Sequence, residues 1–239
     1  MIKFDNVKKQ FGSTKVLKGL SFEVDKGDIF AFLGPNGSGK TTAIRILLSL
    51  LNADSGTALI DGKRYSYSMA NKIGYLPEER GLYLDSRVLE TMIYVGQMKG
   101  MSYNDARNAS QKYLERVGLL DKAYVEIKKL SSGQQQKIQL GITVINNPAL
   151  VILDEPTKGL DPINQELMIE YILELNKNGT TVLFSTHQMV EAEQIANRVL
   201  ILKDGKAGIL GNVKDVKKQN KGKSLHEIFI NLQASKDVN

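Results

Sequence analysis

Residues 29–42 read IFAFLGPNGSGKTT: an apolar run, a loop of Gly34, Pro35, Asn36, Gly37, Ser38 and Gly39, and then Lys40, Thr41 and Thr42. The spacing is G-x-x-x-x-G-K-[ST], placed where a buried strand ends and a helix begins, since Ala43, Ile46, Leu47 and Leu50 follow at helical intervals. Each residue type has its own reason to be there. Glycines let backbone N–H groups turn inward around phosphate oxygens, and a helix N-terminus adds a favourable dipole. Lys40 reaches the β- and γ-phosphates, and the Thr41 hydroxyl is a ligand for Mg²⁺. The stretch predicts a P-loop, with residues 34–42 cradling a nucleotide triphosphate.

A P-loop needs a carboxylate to hold the magnesium. LVILDE at 150–155 supplies it, because four apolar strand residues deliver Asp154 and Glu155 to the strand's carboxyl end, where α/β sheets bind ligands. Asp154 is the natural metal partner and Glu155 the natural base for an attacking water.

Outward from these motifs, the first eighty residues read as strands, with Asp-Gly turns of the hairpin type at 61–62 and again at 204–205. Residues 85–147 read as mostly helical. Val88, Met92 and Val95 share a face; Ser102 and Asp105 resemble a capping box, followed by a face of Ala106, Ala109, Tyr113 and Val117. From Pro148 the pattern is strand–helix–strand, which argues for a parallel α/β core. The expected fold class is therefore α/β, a P-loop NTPase core with a mainly parallel sheet, an N-terminal antiparallel β subdomain and an inserted helical subdomain. We expect one domain over 1–211, its helical part at about 85–147, and a short basic tail with a terminal helix over 212–239.

Composition narrows the chemistry. With no cysteine and two histidines, disulfide frameworks, thiolate metal sites and cysteine nucleophiles are excluded. No apolar stretch approaches the ~20 residues that span a bilayer, and MIKFDNVKKQF lacks a signal-peptide core. The chain is expected in the cytoplasm, reaching a membrane only through a partner. Thirty-two basic against 26 acidic residues leave +6, with lysines at Lys3, Lys8, Lys9 and in KDVKKQNKGK at 214–223. No aromatic residues interleave these lysines, so nucleic acid is not an expected partner.

Between the two phosphate motifs lies KLSSGQQQKIQL (129–140), and after them PTKGLDP (156–162) and FSTHQM (184–189). Over residues 1–211 this suite resembles the nucleotide-binding subunit of ABC transporters, and GYLPEERGLY at 74–83 is most similar to single-cassette export ATPases of the sodium-extrusion and multidrug type. The resemblance implies an ATPase that uses ATP and Mg²⁺. It implies a head-to-tail dimer, homo- or heteromeric, around two MgATP, and a separate integral membrane permease that places the subunit on the inner face of the cell membrane. It implies that Ser131, Gly133 and Gln134 of LSSGQ meet the γ-phosphate held by the opposite subunit; alone, LSSGQ is equally a helix cap.

Further roles follow from the same resemblance. Phe11 takes the place of the aromatic residue that stacks on adenine, the alternative being a core phenylalanine. Glu78 takes the place of a metal- and water-contacting glutamine, the alternative being a surface acid paired with Arg80. His187 is the γ-phosphate switch histidine. Asp161 lies in the loop that crosses the dimer interface and equally suits the N-cap of a helix starting at Pro162. Ser132 departs from the family glycine. His226 has no such context and reads as a surface residue. Docking of the permease is expected around 78–100, which supplies Leu82, Tyr83, Val88, Met92, Tyr94 and Met98, about half of them needed for packing. A soluble ABC-type ATPase switch acting on a protein or nucleic acid is the alternative function.

Overall fold

The computed structural model describes residues 1–79 and 81–234. Its backbone groups into two units, one made of Met1–Tyr67 with Ile172–Asn239 and the other of Ser68–Tyr171.

The first unit opens with β1 (Ile2–Phe11), β2 (Thr14–Val24) and β4 (Ser55–Ile60), an antiparallel sheet of order β2-β1-β4. Pairing of Phe4 with Phe22 puts their rings in a stack 4.5 Å apart. Phe22 in turn meets Phe30 and Phe32 at 5.5 and 5.6 Å, which ties this sheet to β3 (Ile29–Leu33). The register of β1 slips between Phe4 and Val7, where Asn6 takes a left-handed φ of 46°; this bulge is not visible as a break in the alternation of the sequence.

Strand β3 lies between β7 (Thr181–Thr186) and β8 (Arg198–Lys203), parallel to both, and β9 (Lys206–Asn212) closes this edge antiparallel to β8. All residues of β3 and β7 are buried, as a continuous apolar run in a parallel sheet requires. The turn at Asp204-Gly205 has φ of 53° and 74°, the geometry of a two-residue hairpin with both centres left-handed, and Gly205 accepts a hydrogen bond from Lys18 N–H at 2.8 Å.

Helix α1 (Lys40–Leu47) buries Ala43, Ile46 and Leu47 as expected but stops at Leu47, with Ser49 at φ 54°, so Leu50 is exposed rather than on the buried face. Helix α6 (Met189–Ile195) follows β7. The segment after β9 forms two helices, α7 (Val213–Gln219) and α8 (Leu225–Ala234). Burial of Val216, Leu225 and Ile228 makes it part of the core packing, and Lys203 Nζ donates to the Leu232 carbonyl. Glu193 of α6 accepts from both Lys217 and the Leu225 N–H.

In the second unit β5 (Ile73–Leu76) runs parallel to β6 (Leu150–Asp154), with α2 (Val88–Met98), α3 (Tyr103–Arg116) and α4 (Ser132–Val144) between them in sequence. The Ser102 cap holds, its hydroxyl accepting from Asp105 N–H at 3.1 Å. The buried face of α3 is Ala106, Ser110, Tyr113 and Leu114, turned from the expected one, with Ala109 and Val117 only half-buried. Tyr113 sets this orientation: its ring lies where a side chain on Gly141 of α4 would be, and its hydroxyl donates to the Lys137 carbonyl at 2.6 Å.

Candidate active site

In the first unit β3 runs into α1 through residues 34–39. Gly39 sits at φ 106°, and a side-chain carbon there would come within 2.9 Å of Leu17 and 3.0 Å of Val16, so the turn admits only glycine with β2 behind it. Lys40 is buried, and its ammonium donates to the carbonyls of Gly34 at 2.9 Å and Pro35 at 3.3 Å, folded over the loop it serves. The Ser38 hydroxyl is buried with no hydrogen-bond partner among the described residues. No acid lies in the first turn of α1, so its N-terminal dipole is left uncompensated and favours an anion. A buried orphan hydroxyl, an ammonium and a helix N-terminus together fit a phosphate chain. Thr41 and Thr42 are half-buried at the start of the helix.

Phe11 ends β1 and is 48% exposed, with Lys9 Nζ 5.5 Å from its ring centre; it is not a core residue. His187 follows β7 on an exposed bend that its neighbours pin: Gln188 N–H donates to Thr186 Oγ1, which donates to the buried Glu191 carboxylate at 2.9 Å. His226 is exposed on α8.

In the second unit β6 ends at Asp154, 0% exposed, and Glu155, 6% exposed. Glu155 has φ 51°, a left-handed backbone that costs a non-glycine residue about 1 kcal/mol or more; the sequence did not announce it. The turn continues through the Lys158 N–H, which donates to the Glu155 carbonyl at 3.1 Å. Helix α4 braces this region, Gln136 donating to the Pro156 carbonyl at 3.2 Å and Gln139 to the Glu79 carbonyl at 3.4 Å. Glu78 forms an ion pair with Lys158 at 2.5 Å. The partner weighed from sequence, Arg80, lies outside the described residues.

Ser131 and Gln134 form a reciprocal capping box on α4, Ser131 Oγ accepting from Gln134 N–H at 3.3 Å and Ser131 N–H donating to Gln134 Oε1 at 2.9 Å. Asp161 caps α5 (Pro162–Lys177), accepting from Asn164 N–H at 3.0 Å and from the Asn164 amide at 2.5 Å. The backbone bond to Asn164 holds the Asp161 carboxyl below the ordinary carboxylate range. The Asn164 amide also lies 3.3 Å from where a side-chain carbon on Gly133 would be. Asn164 thus lies between Gly133 of LSSGQ and the Asp161 loop, a link that nothing in its residue type suggested.

The carboxylates of Asp154 and Glu78 in the second unit and the Thr41 hydroxyl in the first are each oxygen donors, the type that suits Mg²⁺, and none of them is a thiolate. Among the described residues no three His, Cys, Asp or Glu gather to hold a metal.

The family described as ABC transporter matches residues 17–158, more than half of the chain. The chain belongs to the ABC transporter family. An uncharacterized ABC transporter ATP-binding protein of Methanocaldococcus jannaschii is 43% identical over 90% of this cassette and 79% of its own length. The linearmycin resistance ATP-binding protein LnrL of Bacillus subtilis is 34% identical over 90% and 70%. A dimeric ATP-binding cassette in a post-hydrolysis state, bound to ADP and Pi, superposes with a TM-score of 0.80 at 27% identity, covering 89% of this chain and 98% of that one. The cassette is an ATP-hydrolysing subunit of an ABC transporter with the α/β P-loop fold expected of it. No helix among the described residues is long and apolar enough to cross a membrane.

Proposed function

We propose that this subunit binds MgATP through residues 34–42, hydrolyses it with Glu155 as the base, and drives export through a separate membrane permease. The observation that carries the reading is the pair of buried carboxylates at the end of β6, the second held in a left-handed turn. In the reaction Glu155 takes a proton from water as the water oxygen attacks the γ-phosphorus; the bond to the β–γ bridging oxygen breaks and ADP leaves. Lys40 and the P-loop N–H groups hold the phosphates, Phe11 stacks on the base, and His187 contacts the γ-phosphate. Thr41 and Asp154, with Glu78, would hold Mg²⁺, which when bound neutralises charge on the transferring phosphoryl group.

A second cassette, identical or homologous, presents its Ser131, Gly133, Gln134 and Asp161 to complete the site. The helix N-terminus behind that peptide supports this, since its N–H groups favour an anion. Tyr83, Tyr94 and Met98 are more than half exposed, and the two tyrosines meet edge to face at 6.5 Å; this apolar surface supports docking of the permease, which would hold the subunit at the inner face of the membrane. Val88 and Met92, named with them from sequence, are buried and serve packing. A relative named Nod factor export ATP-binding protein I supports export rather than uptake.

Glu155→Gln tests the reading. It keeps size and a polar oxygen but accepts no proton, so hydrolysis falls by about 10²-fold or more, while MgATP still binds and the protein runs as a dimer on gel filtration with ATP. A monomer with normal turnover overturns the assignment.

A further inference from the structure

Glu78 and Lys158 stand 80 residues apart and meet as an ion pair at 2.5 Å, with 35% and 53% of their side chains exposed. Lys158 belongs to the same turn as the two acids, through the bond from its N–H to the Glu155 carbonyl, and its ammonium feels Glu155 and Asp154 as well as Glu78. A carboxylate at position 78, in place of an amide, adds a negative charge to a region that already holds two and that must receive a triphosphate. The ammonium of Lys158 cancels that addition. Together the pair carries the same net charge as two neutral side chains.

We propose that Lys158 is a positioning residue that compensates Glu78, holding its carboxylate so that it neither repels the incoming phosphates nor binds a divalent cation more tightly than the nucleotide-bound site needs. The proposal rests on the functional reading above. Lys158 and Mg²⁺ compete for the same carboxylate, so loss of the lysine moves nucleotide and cation binding in opposite directions. Loss of both members of the pair leaves the charge where it began.

The test uses the full chain in four forms: wild type, Lys158→Met, Glu78→Gln and the double variant, with Lys158→Arg as the conservative control. Two equilibria are read at low ionic strength: ATP binding in EDTA by displacement of a fluorescent nucleotide, and Mn²⁺ binding to the nucleotide-loaded protein by electron paramagnetic resonance. Lys158→Met should weaken metal-free ATP binding by about two- to fivefold, the size expected for a partly exposed pair, and tighten Mn²⁺. Glu78→Gln should do the reverse, the double variant should return to within about twofold of wild type, and Lys158→Arg should stay there. At about 0.5 M salt the differences should fade. If Glu78→Gln alone matches wild type and the double variant binds metal-free ATP as weakly as Lys158→Met, the lysine does not act by cancelling the glutamate and the proposal falls alone. If wild type binds no ATP, or binds it equally with Lys40→Ala, the reading of the site falls first.

Discussion

Phe11 shows what a single residue reveals only once its surroundings are known. In sequence it is one of seven phenylalanines, able to be core or ligand contact. Phe4, Phe22, Phe30 and Phe32 are buried and form the aromatic cluster of the first unit, whereas Phe11 offers half its surface to water beside Lys9. A ring left half exposed contributes little to the core, so Phe11→Ala should leave thermal stability nearly unchanged. If the ring stacks on the base, the same change costs about 1–3 kcal/mol of nucleotide binding. ATP and GTP lose alike, because stacking reads no base edge; binding isotherms for both nucleotides check this, and a loss confined to ATP counts against stacking. Lys40, Asp154 and Glu155 stand out in the sequence because phosphate chemistry asks for fixed residue types at short spacing. The left-handed backbone of Glu155 and the partner of Glu78 do not, the first because φ leaves no mark in residue type, the second because 80 residues separate the pair.

Among the elements, α4 carries two roles on one turn. Its capping box engages Ser131 and Gln134, the same residues assigned to the phosphate of an opposing subunit. The roles separate by substitution. Ser131→Ala removes the cap and costs about 1 kcal/mol of stability. Ser131→Asp restores a good cap and places a negative charge at the helix N-terminus, so stability returns while ATP-driven dimerisation is lost to repulsion of the phosphate. Urea midpoints and light scattering with MgATP, the latter in the Glu155→Gln background, measure the two roles independently; dimerisation that survives Ser131→Asp would leave the serine as a cap only. Caps at Ser102, Ser131 and Asp161 were readable because an N-cap is decided within three residues. The face of α3 and the length of α1 were not, since Gly141 makes room for Tyr113 from another helix and α1 ends at a local left-handed turn. Strand order likewise depends on partners far along the chain, and so does the grouping of β5 and β6 with the helices in the Ser68–Tyr171 unit.

Stability of the whole molecule carries a pH dependence that originates in Lys99. This half-buried lysine follows α2, and its ammonium donates to the Thr143 carbonyl in the last turn of α4 at 2.7 Å. Burial pulls its pKa from the ordinary 10.5 down to about 8. Below pH 8 the lysine is protonated folded or unfolded, and the folded state bears the full cost of desolvating the charge. Between about 8 and 10.5 the folded chain has released the proton and the unfolded chain still holds it. The unfolded state then binds more protons, so stability rises with pH across this window and levels off above it. The gain is on the order of 3 kcal/mol for a shift of this size. Lys99→Met removes the titration while keeping most of the apolar stem. Denaturant unfolding of both proteins from pH 7 to 11 isolates the effect, because every other titrating group cancels in the difference. Wild type should gain on the variant between pH 8 and 10.5. Parallel curves through that window would mean that the ammonium stays hydrated and that the bond to Thr143 joins α2 to α4 at no cost in desolvation.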